Sequence, residues 1–233
     1  MRLAVGTLPA EVEMGLREVK RERTRRLIAD KAFELFTDHG FGRTTVEQIA
    51  AAAEVGPSTL YRYFPTKETL VLEFVEDCLV DAVTWFREQP GLDLPDGLQA
   101  VIERVLAQLE RNPDRVRAVF DLAAQTASVS AHLNELIWRF RNDLADELVR
   151  RLPARDPRDA EFTAALAAGI AMNIIETVVR TWVENPDGIE VNELARRAMT
   201  LLRGGGIPLP AAPMSGPSRR RVIGARENSS YGF

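Results

Sequence analysis

A chain of 233 residues, 45% of them apolar, has enough material for a full core and for one large or two modest domains. Its single cysteine, Cys78, excludes an intramolecular disulfide, and two histidines leave little material for a Cys/His metal site, so neither a metal nor any other cofactor is expected. The net charge of −4 says little about partners until the charges are located along the chain.

Residues 1–17 are expected to form a flexible extension, and nothing in them has the apolar core and small-residue cleavage site of a secretion signal. No uninterrupted run of about 18 apolar residues occurs anywhere, so no membrane span is expected and a cytoplasmic location follows. The first helix is predicted over 18–39. Ile28, Ala32 and Phe36 form its buried line, Ala29 and Phe33 flank it, and Gly40 stops it. Residues 17–26 hold six cations, among them Arg23, Arg25 and Arg26, against two acids. A solvated helix face paired at i,i+4 with Glu18 and Glu22 accounts for that pattern. So does a basic arm that contacts phosphate, and its position ahead of the next motif favours the arm.

That motif spans 44–67, with helices at about 45–64 around a tight turn. Val46, Ile49, Ala50 and Ala53 fall at i, i+3, i+4 and i+7, one apolar stripe on a short helix. Thr45 with Gln48, or Thr44 with Glu47, forms a capping box. Gly56 and Pro57 restart the chain, since Pro suits a first helical position whose N–H is free anyway. Leu60 and Phe64 can pack on the first helix, which leaves Ser58, Thr59, Tyr61, Arg62 and Tyr63 outward. A surface helical hairpin would explain the stripe. It would not explain that polar, aromatic and cationic surface, which a DNA major groove can accept.

Helices follow at about 67–88, 96–111, 114–127, 130–152, 160–185 and 191–203, separated by Pro, Gly, Ser and Asn breaks. No alternating strand pattern is seen, so the chain is expected to be all-α. The helix at 67–88 is amphipathic and is the expected connector. Residues 160–185 are apolar around much of their circumference and should be buried on more than one side. Candidate lining residues for a small-molecule pocket between these helices are Trp85, Phe86, Phe120, Gln125, His132, Trp138, Asn173, Glu176 and Trp182. For each one alone, core packing or a solvent-facing position is the plainer account. Residues 204–233, rich in Gly, Pro, Ser and Arg, are expected to form a disordered tail.

The segment 23–72 resembles the N-terminal domain of the tetracycline-repressor (TetR) family of transcriptional regulators. The matching residues include Ala32, Phe36, Gly40, Thr44, Thr45, Val46, Ile49, Ala50, Thr59, Leu60, Tyr61, Tyr63, Phe64 and Lys67, with LYRYFPTKETL the most specific run. Where the family often has Gly in the turn between the two helices, this chain has Glu54. The resemblance implies a three-helix helix-turn-helix DNA-binding domain at 18–66 and a larger helical ligand-binding and dimerisation domain at 67–203. It further implies a homodimer on a double-stranded DNA operator, released by a small-molecule effector. Thr44, Thr45, Pro57, Ser58, Thr59, Tyr61, Arg62, Tyr63 and Lys67 would then serve DNA, together with Arg23, Arg25 and Arg26. By order along the chain, the last two helices would form the dimer interface, with Ala164, Ala168, Gly169 and Ala171 at the close approach. No nucleophile motif, paired-histidine metal helix or glycine-rich phosphate loop is present, so an enzyme is not expected. A helical DNA-binding architectural protein without ligand response is the alternative, and the large C-terminal half with its aromatic residues argues against it.

Overall fold

The computed structural model describes residues 10–153, 156–185, 188 and 190–207. Among these, every regular element is a helix: α1 (Ala10–His39), α2 (Val46–Ala52), α3 (Pro57–Tyr63), α4 (Lys67–Arg87), α5 (Leu94–Glu110), α6 (Pro113–Gln125), α7 (Ala127–Val149), α8 (Pro157–Glu184) and α9 (Val191–Arg203).

Several boundaries differ from the sequence expectation, α7 by three residues at each end, and three helix starts differ for one reason. Pro95, Pro113 and Pro157 stand in the first turns of α5, α6 and α8 rather than outside them. A first-turn N–H has no intrahelical acceptor, so proline costs nothing there and presets φ. α1 starts at Ala10, so 10–17 belong to the helix and not to a flexible extension. Glu, Met, Leu and Arg in that stretch are good helix formers, and one glycine is tolerated among them. The expected tail lies, from residue 208 on, outside the described residues.

Two apolar clusters organise the chain. One joins Ile28, Ala29 and Ala32 of α1 with Ile49, Ala50, Ala53, Leu60, Phe64 and Leu70. The other is built from α4 to α9 and includes Leu72, Phe86, Val105, Leu144 and Ala168. α4 is rooted in both, through Leu70 in the first and Leu72 in the second. It therefore belongs to both the N-terminal unit and the body.

The C-terminal end of α4 is clamped. Arg151, just beyond the end of α7, donates to the carbonyls of Phe86 at 2.6 Å and Gln89 at 3.0 Å, and its guanidinium lies 4.0 Å from the Phe86 ring. Buried Glu147 accepts from Arg151 and Arg150. Burial alone would raise its carboxyl, but these hydrogen bonds hold it below the usual carboxylate range. Gly97 of α5 faces the Phe86 ring so closely that a Cβ there would overlap it.

Candidate nucleic-acid interface

α2 and α3 are too short to be stable alone and are held by the core beneath them. Thr45 caps α2 through a complete capping box: its hydroxyl accepts from the Gln48 N–H at 3.2 Å, and the Gln48 side chain accepts from its N–H at 2.8 Å. The turn closes on Glu54, which adopts φ +55°, so the left-handed conformation usually given to glycine is taken here by glutamate. Leu60 and Phe64 are buried under α3. Pro57, Ser58, Tyr61 and Arg62 are exposed, while Thr59 and Tyr63 are half-buried. Arg62 lies 5.6 Å from the Tyr63 ring, which preorganises both side chains on the outer face.

Three of the residues assigned to DNA are engaged inside the protein. Thr44 is 1% exposed, and its hydroxyl donates to the carbonyls of Leu35 at 3.1 Å and Gly40 at 3.0 Å, tying the end of α1 to the start of α2. Lys67 donates from Nζ to the carbonyls of Phe41 at 2.9 Å and Thr44 at 3.0 Å, with the Phe41 ring 4.5 Å away. Arg25 donates to both carboxylate oxygens of Asp77 on α4, at 2.7 and 2.9 Å, and packs 5.6 Å from the Phe64 ring. These residues join elements rather than present charge; Arg25 does so because its side of α1 faces α4 instead of solvent. Arg23 is exposed, as are Lys20 and Arg21. Arg26 is exposed and paired with Glu22, at 2.7 Å on the same helix face. Such a surface pair is worth little and is readily exchanged for phosphate.

In the body, the structure disperses the candidate pocket residues. Phe120 and Glu176 line one cavity of about 150 Å³ among α4 to α8, with Asn134, Met172, Ile175 and Arg180. Gln125 lines a different cavity, beside α1. Phe86 is fully buried under Gly97 and Arg151, so it is core and not pocket. Trp85 packs under Arg104 and Trp182 near Arg117. His132 is half-buried among the groups that act on Glu68. Trp138 is 57% exposed, and Asn173 is exposed and accepts from Thr177 at 3.2 Å.

The small residues of α8 are also placed differently from expectation. Ala164, Ala168 and Ala171 are buried inside the protomer, where α8 packs on α5, α7 and α9. The outward face carries Phe162, Leu166 and Ile170, exposed by 72%, 56% and 38%. Gly169 lies beside them, with open space where a Cβ would stand. A helix apolar on all sides does not announce which face turns inward. By length and composition α8 could also cross a bilayer, and here its inner face is helix-packed.

Residues 28–74 match the family described as bacterial regulatory proteins, tetR family. The chain is 50% identical over 182 residues to the HTH-type transcriptional regulator TcmR of Streptomyces glaucescens, covering 74% of this chain and 79% of that protein. This chain belongs to the TetR family. It is thus a DNA-binding transcriptional regulator. The nucleoid occlusion factor SlmA of Enterobacter is 27% identical over 171 residues, covering 71% of this chain and 85% of that protein. Among solved structures, FadR from Bacillus subtilis in complex with stearoyl-CoA has a TM-score of 0.54 at 23% identity, covering 77% of this chain and 98% of that one. A TetR-family regulator from Syntrophomonas wolfei has a TM-score of 0.58 at 18% identity, covering 82% of this chain and 99% of that one. The TetR fold seen in these proteins is the all-α architecture expected from the helix pattern.

Two residues of this TetR-family chain escaped the sequence reading. Arg43, exposed in the loop before α2, donates to the His39 carbonyl at 2.8 Å and stands two residues from the α2 cap. Its position beside Thr44 was the available signal. Glu73 is buried on α4 at the junction with α1. No sequence signal marks it, because glutamate on a long helix ordinarily faces water.

Proposed function

We propose that this TetR-family protein is a ligand-responsive repressor that binds a palindromic operator as a homodimer in the cytoplasm. The exposed row Ser58, Tyr61 and Arg62 on a helix pinned by Leu60 and Phe64 is the observation that carries the reading. α3 enters the major groove. Ser58, Thr59, Tyr61, Arg62 and Tyr63 meet bases and phosphates from it, and Thr45, Pro57, Arg23, Arg26 and Arg43 flank them. A dimer places two such helices on successive grooves. Phe162, Leu166, Gly169 and Ile170 form its contact, since an apolar helix face of this size favours a partner over water.

The effector occupies the cavity lined by Phe120, Asn134, Met172, Ile175, Glu176 and Arg180. Its apolar walls suit an apolar or aromatic molecule, with Glu176 and Arg180 orienting a polar group. At about 150 Å³ it is smaller than the roughly 300 Å³ at which ligand pockets usually begin. A ligand must therefore spread α4 from α7 and α8, which rotates α4 and shifts the spacing of the two α3 helices. FadR from Thermus thermophilus is known in complex with lauroyl-CoA, and FadR from Bacillus subtilis with stearoyl-CoA, both with an apolar chain. Footprinting on the promoter of its own gene tests the reading. A protected palindrome, lost on adding an effector while the dimer persists in sedimentation, is expected. Protection that no small molecule relieves would instead indicate an architectural role.

A further inference from the structure

A second cavity, of about 300 Å³, lies between the reading head and the body. α1 supplies Phe33 and Phe36, the following loop Phe41, α4 Phe74 and Glu73, and α6 Leu122. The walls are aromatic and apolar, and the buried Glu73 is among the residues that line them. Glu73 is 4% exposed, and its Oε1 has no hydrogen-bond partner. Arg25 Nη1 is 3.3 Å from that oxygen but makes its hydrogen bonds to Asp77. The other charged groups at the junction are Asp30 of α1, Asp77 of α4, and Arg115 and Asp121 of α6. Arg115 is bound to Asp30 and covers the Phe33 ring at 4.9 Å. Four carboxylates thus face two guanidiniums, and the site is short of positive charge.

A buried carboxylate oxygen without a donor is costly and rare in folded proteins. A carboxyl so placed in the lining of an aromatic cavity of ligand size is matched by a positive charge brought by the occupant. We propose that this junction is a ligand site distinct from the effector cavity, taking a small aromatic monocation whose ammonium group pairs with the Glu73 carboxylate. The rings of Phe36 and Phe74 flank the apolar body of such a ligand, and aromatic faces attract a cation. The site is walled by α1 on one side and by α4 and α6 on the other. Its occupant fixes the head against the body, and by linkage operator DNA must change the affinity for the amine by the factor the amine changes that for DNA. That coupling rests on the DNA-binding reading, whereas the binding does not.

The test uses the full chain and three naphthalene probes in titration calorimetry: 2-(1-naphthyl)ethylamine, the matching alcohol, and 1-naphthylacetate. The amine should bind at least tenfold more tightly than the alcohol, and the acetate should not bind. Glu73→Gln, close in shape and still folded by circular dichroism, should abolish the preference for the amine. Ala118→Phe, which fills the cavity lining, should weaken amine and alcohol together. Glu176→Gln, in the effector cavity, should leave the affinity for the naphthyl amine as it is in wild type. Amine affinity should also fall about tenfold per pH unit below about 7, where Glu73 takes up its proton. No binding of the amine at millimolar concentration would overturn the proposal. So would an amine preference that survives Glu73→Gln, or binding abolished by Glu176→Gln instead, which would locate the probe in the effector cavity.

Discussion

Replacing Glu73 by glutamine should stabilise the protein far more at pH 8 than at pH 5. Burial, and then the neighbouring Asp77, push the Glu73 carboxyl from 4.5 up to about 7, against the pull of Arg25 and Arg115. The folded state therefore keeps a proton that the unfolded chain has already lost between those two values. Stability falls as pH rises through that window, and the whole penalty is present above about 7. A shift of this size corresponds to roughly 3 kcal/mol at 1.36 kcal/mol per unit, an upper figure because the junction can relax. Glutamine carries no charge to desolvate. The stability of Glu73→Gln minus that of wild type should thus grow from below about 1 kcal/mol at pH 5 towards ~3 kcal/mol at pH 8. Urea unfolding of both proteins at one fixed concentration, from pH 5 to pH 8, gives that difference, with other titrating groups cancelling. A variant less stable than wild type at pH 8, or a difference that does not change with pH, would refute the reasoning.

Five further outcomes are expected. Arg62→Ala should weaken operator binding by about 1–3 kcal/mol if the guanidinium reads a base, and unchanged affinity in a folded variant would remove it from the interface. Neutralising Arg23 and Arg26 should make the log-log salt dependence of DNA binding shallower by roughly 0.9 for each phosphate that no longer meets a cation. Arg25→Gln should leave that slope alone and lower the melting temperature, because Arg25 ties α1 to Asp77. Leu166→Glu should yield a monomer in sedimentation and abolish operator binding with the reading head intact, since a charge replaces an exposed apolar side chain. Gly97→Ala should cost about 1–3 kcal/mol by calorimetry, because the added methyl meets the fully buried Phe86 ring.

The local pattern of the chain was enough for the elements that depend on neighbours in sequence. The capping box at Thr45, the stripe of Val46, Ile49, Ala50 and Ala53, and the Gly56-Pro57 restart are interactions within one or two turns, and the structure has them where the residues place them. The prolines misled only about boundaries, because a breaker and a first-turn proline look alike until the preceding residue is seen as a cap. The fate of a side chain that points away from its own helix was set elsewhere. Arg23, Arg25 and Arg26 read as one basic cluster, yet α4 lies against only one side of α1, so Arg25 is claimed by Asp77 while Arg23 stays in solvent. Thr44 and Lys67 were drawn inward by carbonyls at the end of α1 and in the loop after it. On α8 the apolar circumference was legible, but α5, α7 and α9 chose the alanine face and left Phe162, Leu166 and Ile170 outside. Glu73 became a buried charge only because α1 packs over α4 there. A contact between residues far apart in sequence leaves no period in either segment, so only the packed fold decides which carboxylate loses its water.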